Sequence, residues 1–600
     1  NESAFTKLVD ACNSIQKKHE DYQATYYFLF SMVYQAKNKF PSEFKSEWIG
    51  LERTYREEEE SEAYLDFIFF SYKLFRYRAL HETEIGRWIY KGDMAWNTSK
   101  GIGIQCNAGQ LIGQLLDESG GDSIYIYETD GYFDYKTKKF VGKGGTITWE
   151  KAGLKKDETF AQLFGYKVDL RKMDFRADTV QLTTPYFKTP VLGSMKDRME
   201  EVEEQGGKMP YFTSFDSRLR IQNLLPDIDF DGGFSLQGSD FVGIGVNGVP
   251  ALLQFNYQNK PLFEISTALV NVQNELILSR NCKVKMKYPN GDSLIHSQCM
   301  MQFKPEDGML LLFAEKKGNS VIPFVDYHFQ ISANAPLLKW KTKTPFPKFT
   351  YDLATAQEQK IAQFESINFI NQKVVSKLSA SGGSNPMVQI MSVFKKTKSE
   401  SLPFGALASA LGTTVQGVET QIFSLEAEGF LEVDSKNKRI FPTTKLVNYA
   451  AGITGEKDFD FLSFTSNLTP RALPYSKEAI EKDPSLKAVN QSVEFLNARF
   501  VRQDYFGVID LTKDQLFLTG VDRVVLSEPQ HTFIYPDSTF IVVKPKRDIL
   551  FNGIINSGKF TATVREASFS YDKFSIRFSQ AQKASFKVNP MRKEDGDTQI

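Results

Sequence analysis

A tract of side chains that alternate in and out, Asp227 to Thr344, constrains this chain more than any other feature. Leu253, Phe255 and Tyr257 alternate with polar neighbours, and so do Cys282, Val284, Met286 and Tyr288. Turn signals punctuate the tract at Asn259-Lys260, Asn290-Gly291, Asp307-Gly308 and Gly318-Asn319. A period of two with short turns specifies an antiparallel meander with one buried face. Similar tracts occupy 121–190 and 515–588. Asn290-Gly291 is the pair favoured in a two-residue type I′ turn, where both residues need φ > 0. Opposing residue numbers would then sum to 581, with 289 and 292 closing the turn and Cys282 facing Cys299 within disulfide reach. That register puts Val284, Met286, Tyr288 and Ile295 on one face, and Lys283, Lys285, Lys287, His296 and Gln298 on the other. Cys282 and Cys299 are thus either two buried thiols or a disulfide.

A chain of 600 residues exceeds one hydrophobic core, so several domains are expected. Residues 1–118 read as a helical bundle or the end of an α-solenoid, with Asn107–Leu116 as its last helix. Residues 119–350 read as β-rich, with a helix or loop at Lys196–Gln205; 351–384 read as a helix with a Ser/Gly linker, 451–512 as mixed, and 513–600 as β-rich. Both ends look cut, so the last β domain is expected to continue beyond the chain. The β units fit a sandwich or a β-solenoid, which makes the whole a β-dominated α+β multidomain protein.

Residues 385–450 have the order of an inserted winged-helix-like domain: three short helices, a turn at Gly412, then two strands around Asp434–Lys438. A DNA-reading helix needs cations for the phosphates. No Lys or Arg lies between Gly412 and Glu432, whereas Glu419, Glu426, Glu428 and Glu432 do, so a structural or protein-contact role is expected. Lys plus Arg balance Asp plus Glu at 73 each, which gives no general attraction to nucleic acid or anionic membranes. No apolar run of membrane-spanning length occurs.

Chemical motifs are sparse. Gly243-x-Gly245-x-x-Gly248 matches a dinucleotide fingerprint, but Val249-Pro250 follows where a helix must begin. Gly553–Lys559 nearly matches a phosphate loop, with Phe560 in place of the Mg²⁺-binding Ser or Thr. Asp227, Asp229 and Asp231 resemble the first half of a calcium loop, and Asp240 could add an oxygen. The twelfth position is Gly238 rather than Glu, so a strand with an acidic outer face is the preferred reading over a calcium site. The five histidines lack metal-ligand spacing, and His328 reads as a packed strand residue. No other cofactor is indicated. A glycosidase needs only two carboxylates, and with 73 acidic residues spacing alone cannot select a pair.

Four phrases resemble very large β-rich cell-envelope proteins of Bacteroidota: Gly142–Leu154, Val321–Ile331, Arg547–Phe560 and Ser570–Ile576. The resemblance implies an extracytoplasmic section of a longer chain, periplasmic or associated with the outer membrane. A precursor without a signal peptide would instead imply a cytoplasmic protein. The expected function is a non-enzymatic scaffold that meets protein or glycan surfaces. The alternatives are a carbohydrate-binding or glycoside-hydrolysing protein and, behind it, a winged-helix regulator.

Overall fold

The computed structural model describes residues 2–99, 101–116, 122–199, 209–273, 275–317, 320–352, 360–370, 385–427, 429–435, 437–456 and 460–588. They form two compact units, residues 1–252 with 268–273, and residues 253–267 with 274–600.

The first unit opens with α1 (Glu2–His19), α2 (Tyr22–Lys37), α3 (Ser42–Glu58) and α4 (Ser61–Tyr77). Asp21 caps α2 by accepting the N–H groups of Gln23 and Ala24, as an acceptor at a helix start should. The acidic run 57–62 is solvent-exposed, while Tyr64, Phe67, Ile68, Leu74 and Phe75 of α4 are wholly buried. The helical region ends at Arg78, in the left-handed region at φ 59°, not near 118.

Strands follow at once: β1 (Ala79–Glu82), β2 (Gly86–Asn97), β3 (Gly103–Leu115) and β4 (Ser123–Asp134) pair in sequence as an antiparallel meander. The helix expected at Asn107–Leu116 is therefore part of β3. Leu111, Ile112 and Gly113 are buried in succession, and the register shifts between Cys106 and Leu111, so no alternation survives to announce a strand.

Beyond β4 the sheet forks. Asp130–Asp134 pair with β5 (Lys139–Lys143), which pairs with β8 (Gly165–Asp169). Tyr127 instead pairs with Thr146 of β6 (Thr146–Thr148), and that branch continues through β7 (Phe160–Leu163) and β9 (Asp174–Thr183) to β10 (Val191–Arg198). The Tyr166 ring packs edge-on against Phe175 of the other branch, centroids 5.4 Å apart. Gly142, which opens the phrase Gly142–Leu154, lies opposite Tyr166, and a Cβ there would fall 2.1 Å from the ring. The charged break expected from Lys196 begins as strand, because Lys196–Arg198 complete β10; residues 200–205 lie outside the described residues.

The second unit is built around a two-layer sandwich. The long hairpin Ile277–Lys287/Ser293–Lys304 borders one side. Its second strand pairs with Met309–Ala314 over one half and with Phe324–Asp326 over the other, feeding both layers. The first layer runs on through Leu337–Lys341, Lys348–Thr350, Tyr505–Asp510, Gln515–Leu518 and Ile541–Val543. The second runs through Ile331–Asn334, Ile361–Ser366, Ser463–Asn467, Val521–Ser527 and Thr532–Pro536. Both layers end on Ile549–Ser557, whose hairpin partner is Phe560–Ser570. Phe349 of the first layer meets Phe324 and Phe364 of the second, each at 5.9 Å.

Ile361–Ser366 is a strand rather than the helix expected within 351–384, since Ala362, Phe364 and Ser366 are buried in alternation. Residues 353–359 and 371–384, including the linker, lie outside the described residues. The winged-helix order is present: helices Pro386–Thr397, Phe404–Ala410 and Val415–Ala427, and a three-stranded sheet of Leu402–Pro403, Arg439–Pro442 and Leu431–Asp434. Thr414 caps the third helix through the N–H of Gly417, 3.2 Å away.

The hairpin at Asn290-Gly291 forms with a different turn. Gly291 N–H donates to Tyr288 O at 3.0 Å and Tyr288 N–H to Asp292 O at 2.9 Å, with Gly291 at φ 93°. A two-residue loop would require the N–H of residue 289, which is proline and has none. The longer loop changes most of the register by one, so that Val284 faces His296. His296 is therefore buried instead of outward-facing. Register shifts on either side nonetheless bring Cys282 opposite Cys299.

Candidate functional site

Of the residues singled out from sequence, the four aspartates do not converge. Asp227 sits at φ 64° in the turn before strand Ile228–Gln237. Asp229 accepts the N–H of Asn223 at 2.9 Å. Asp231 is held by Arg218 and Arg220 at 3.1 and 3.0 Å, and Asp240 accepts from Gln273 at 3.0 Å. Ile228 and Phe230 between them are buried, as a strand with an acidic outer face requires. Among the described residues no group of three His, Cys, Asp or Glu is placed to hold a metal ion. Gly243–Gly248 leads into a bridge between Val246 and Val249 and then a strand, and Gly553–Lys559 runs into a hairpin turn.

Cys282 and Cys299 are both buried free thiols, and Cys282 Sγ lies 3.4 Å from Cys299 O. Burial pushes the Cys282 thiol up to about 12. Titration with an aromatic disulfide reagent should therefore give almost no reaction at Cys106, Cys282 and Cys299 in the native protein. Unfolding without reductant should release four thiols; a count of two would mean that the facing pair is oxidised.

His328 is in the turn after Phe324–Asp326, not in a strand. Its Nδ1 lies 3.0 Å from Asp292 Oδ2, and its Nε2 lies 2.5 Å from Asp514 Oδ1. Its ring stacks on Tyr288 at 4.3 Å, and the Tyr288 hydroxyl donates to the buried Asp326. Burial pushes Asp326 up to about 6, while the His328 hydrogen bond holds Asp292 below the usual carboxylate range. Arg547 donates to Asp460 at 2.6 Å and to Ser366 at 3.0 Å, with Tyr571 under its guanidinium. These contacts join segments that are distant in sequence.

An open site lies in the first unit, where the sheet forks. A groove of about 360 Å³ is lined by Asp122, Tyr125, Tyr127, Glu150, Lys151 and Asp197, among others. Tyr125 and Tyr127 are two apart on β4 and so share a face. Their rings lie 5.9 Å apart and within 12° of parallel, and Tyr125 is 43% exposed. The 3₁₀ turn Glu150–Ala152 brings up Glu150, whose Oε2 accepts the Thr148 hydroxyl at 3.1 Å. Tyr127 is raised by burial first, then by the neighbouring Glu150 and Tyr125.

Lys151 reaches Asp197 at 2.5 Å, Asp122 at 3.0 Å and the Arg198 carbonyl at 3.1 Å. Asp197, at the end of β10, is 3% exposed and also accepts the N–H of Arg198. Burial pushes its carboxyl up to about 6 against the pull of Lys151. Aromatic faces beside a few fixed polar groups suit a ligand with a flat apolar side and a hydroxylated rim. In the sequence the two tyrosines show only as strand alternation, and nothing in the spacing of Asp122, Lys151 and Asp197 marks them as neighbours. Comparison with family models, curated proteins and solved structures finds no match to this chain.

Proposed function

We propose that this chain is a non-enzymatic, extracytoplasmic interaction protein that holds a glycan on Tyr125 and Tyr127. The observation that carries the reading is the near-parallel tyrosine pair in an open groove with charged groups beside it. Sugar rings present an apolar C–H face to such rings and hydroxyls to the carboxylates. Binding without turnover is supported by the way the reactive groups are engaged: Lys151 is held by two carboxylates and a carbonyl. The Bacteroidota resemblance supports the extracytoplasmic placement.

Affinity measured on a panel of soluble polysaccharides should fall about tenfold for each ring removed in Tyr125→Ala and Tyr127→Ala. Unchanged affinity in the double variant removes the reading. A second reading, hydrolysis in the same groove, is favoured by Asp197, whose raised carboxyl suits a general acid. Release of reducing ends from the same panel, abolished by Asp197→Asn, would establish it.

A further inference from the structure

The charge of the groove narrows the class of glycan. Among the described residues that line it, three carboxylates, Asp122, Glu150 and Asp197, stand against one ammonium, that of Lys151. An ammonium has three donors, and Lys151 faces three acceptors within the protein: Asp197, Asp122 and the Arg198 carbonyl. Lys151 is thus committed to joining the residue before β4, the 3₁₀ turn and β10, and is not the group that meets a ligand. Glu150 differs. It is exposed and accepts from the Thr148 hydroxyl. A carboxylate has about four lone-pair sites, so it retains acceptor capacity toward the groove.

We infer that the glycan bound here carries free amino groups, one ammonium pairing with Glu150 while its sugar ring packs on Tyr125 and Tyr127. This inference rests on the glycan reading and specifies its chemistry. A ligand that covers the tyrosines takes water from Glu150, which costs free energy unless positive charge replaces the water. An ammonium supplies that charge, and tyrosine faces attract a cation as well. A uronic acid or sulfated sugar would meet the exposed Glu150 carboxylate in a groove of net negative charge and be repelled. A neutral sugar would leave the charge of Glu150 uncompensated.

The test is calorimetric titration of the whole chain with oligosaccharides of matched length: glucosamine (chitosan), N-acetylglucosamine (chitin) and glucose (cellulose) oligomers. The glucosamine oligomer should bind at least about fivefold more tightly than the other two at low salt. That preference should shrink as salt is raised. It should also shrink in Glu150→Gln, an exposed position where the amide keeps the shape of the carboxylate. Equal or tighter binding of the acetylated or glucose oligomer overturns the inference and leaves the glycan reading intact. Preference for glucosamine that persists in Glu150→Gln overturns the role of that carboxylate. Binding of none of the three, together with no affinity across the polysaccharide panel, overturns both.

Discussion

Phe349→Ala should cost about 3–5 kcal/mol of the stability of the sandwich, read from denaturant unfolding. Phe349 is 1% exposed and is the first-layer ring that reaches both Phe324 and Phe364. Phe364 in turn stacks on Phe464 at 5.4 Å, so one ring supports an aromatic row that spans four strands of the second layer, with Ala333 between Phe324 and Phe364. Within the layer Phe349 is paired with Gly507 on one side, which has no side chain to offer, and with the buried Leu338 on the other. Where the loss falls in that range depends on the cavity that remains once Leu338 has relaxed toward it. Phe349→Leu should lose much less, since most of the volume is kept. A loss below about 1 kcal/mol in the alanine variant would mean that the layers do not press together at this point.

The second large effect is acid sensitivity arising from His296. The ring is 1% exposed, its Nε2 lies 2.9 Å from the Ile322 carbonyl, and its Nδ1 accepts the N–H of Gln298 at 3.1 Å. That pairing suits the neutral ring with its proton on Nε2, and burial lowers the group to about 4 from the ordinary 6.5. A histidine depressed on folding contributes stability that is complete above its unfolded value and is lost as pH falls toward 4. With 1.36 kcal/mol for each pH unit, the loss across that window is about 3 kcal/mol. Asp197 and Asp326, raised to about 6, work the other way: their contribution is present below the ordinary carboxylate value of 3.8 and is lost as pH rises through about 6. Comparison with His296→Gln cancels them, because both proteins carry them. The glutamine amide can donate to Ile322 and accept from Gln298 without titrating. Relative to the variant, the native protein should lose about 3 kcal/mol of stability as pH falls from 6.5 to 4; parallel profiles would show that His296 is not held neutral.

How much of this was legible depended on whether a strand buries one face or two. The Ile277–Lys304 hairpin and the C-terminal strands alternate and were readable as such, and the winged-helix order was visible from its caps and turns. β3 buries neighbours on both faces and carries register shifts, which erased its period. Ile361, Phe364, Ile367 and Ile370 imitate a helical stripe, yet the first is 41% exposed on a strand and the last two lie beyond its end. Pro289 was in plain view, and its missing N–H would have excluded the two-residue turn. The groove could not have been foreseen: β4, the turn at Glu150 and the end of β10 meet only because the sheet forks, and a fork has no local pattern.

The strands Ile361–Ser366 and Ser463–Asn467 are hydrogen-bonded neighbours, as are Lys348–Thr350 and Tyr505–Asp510, and the winged-helix module lies between them in the chain. A ribosome therefore delivers half a sandwich with two raw strand edges before the other half exists. The helical module, made of local contacts, can complete itself during that interval. Until the later strands emerge, those edges are open to strands of other nascent chains. Crowded synthesis at high polysome density is thus the condition in which these edges have the most partners within reach.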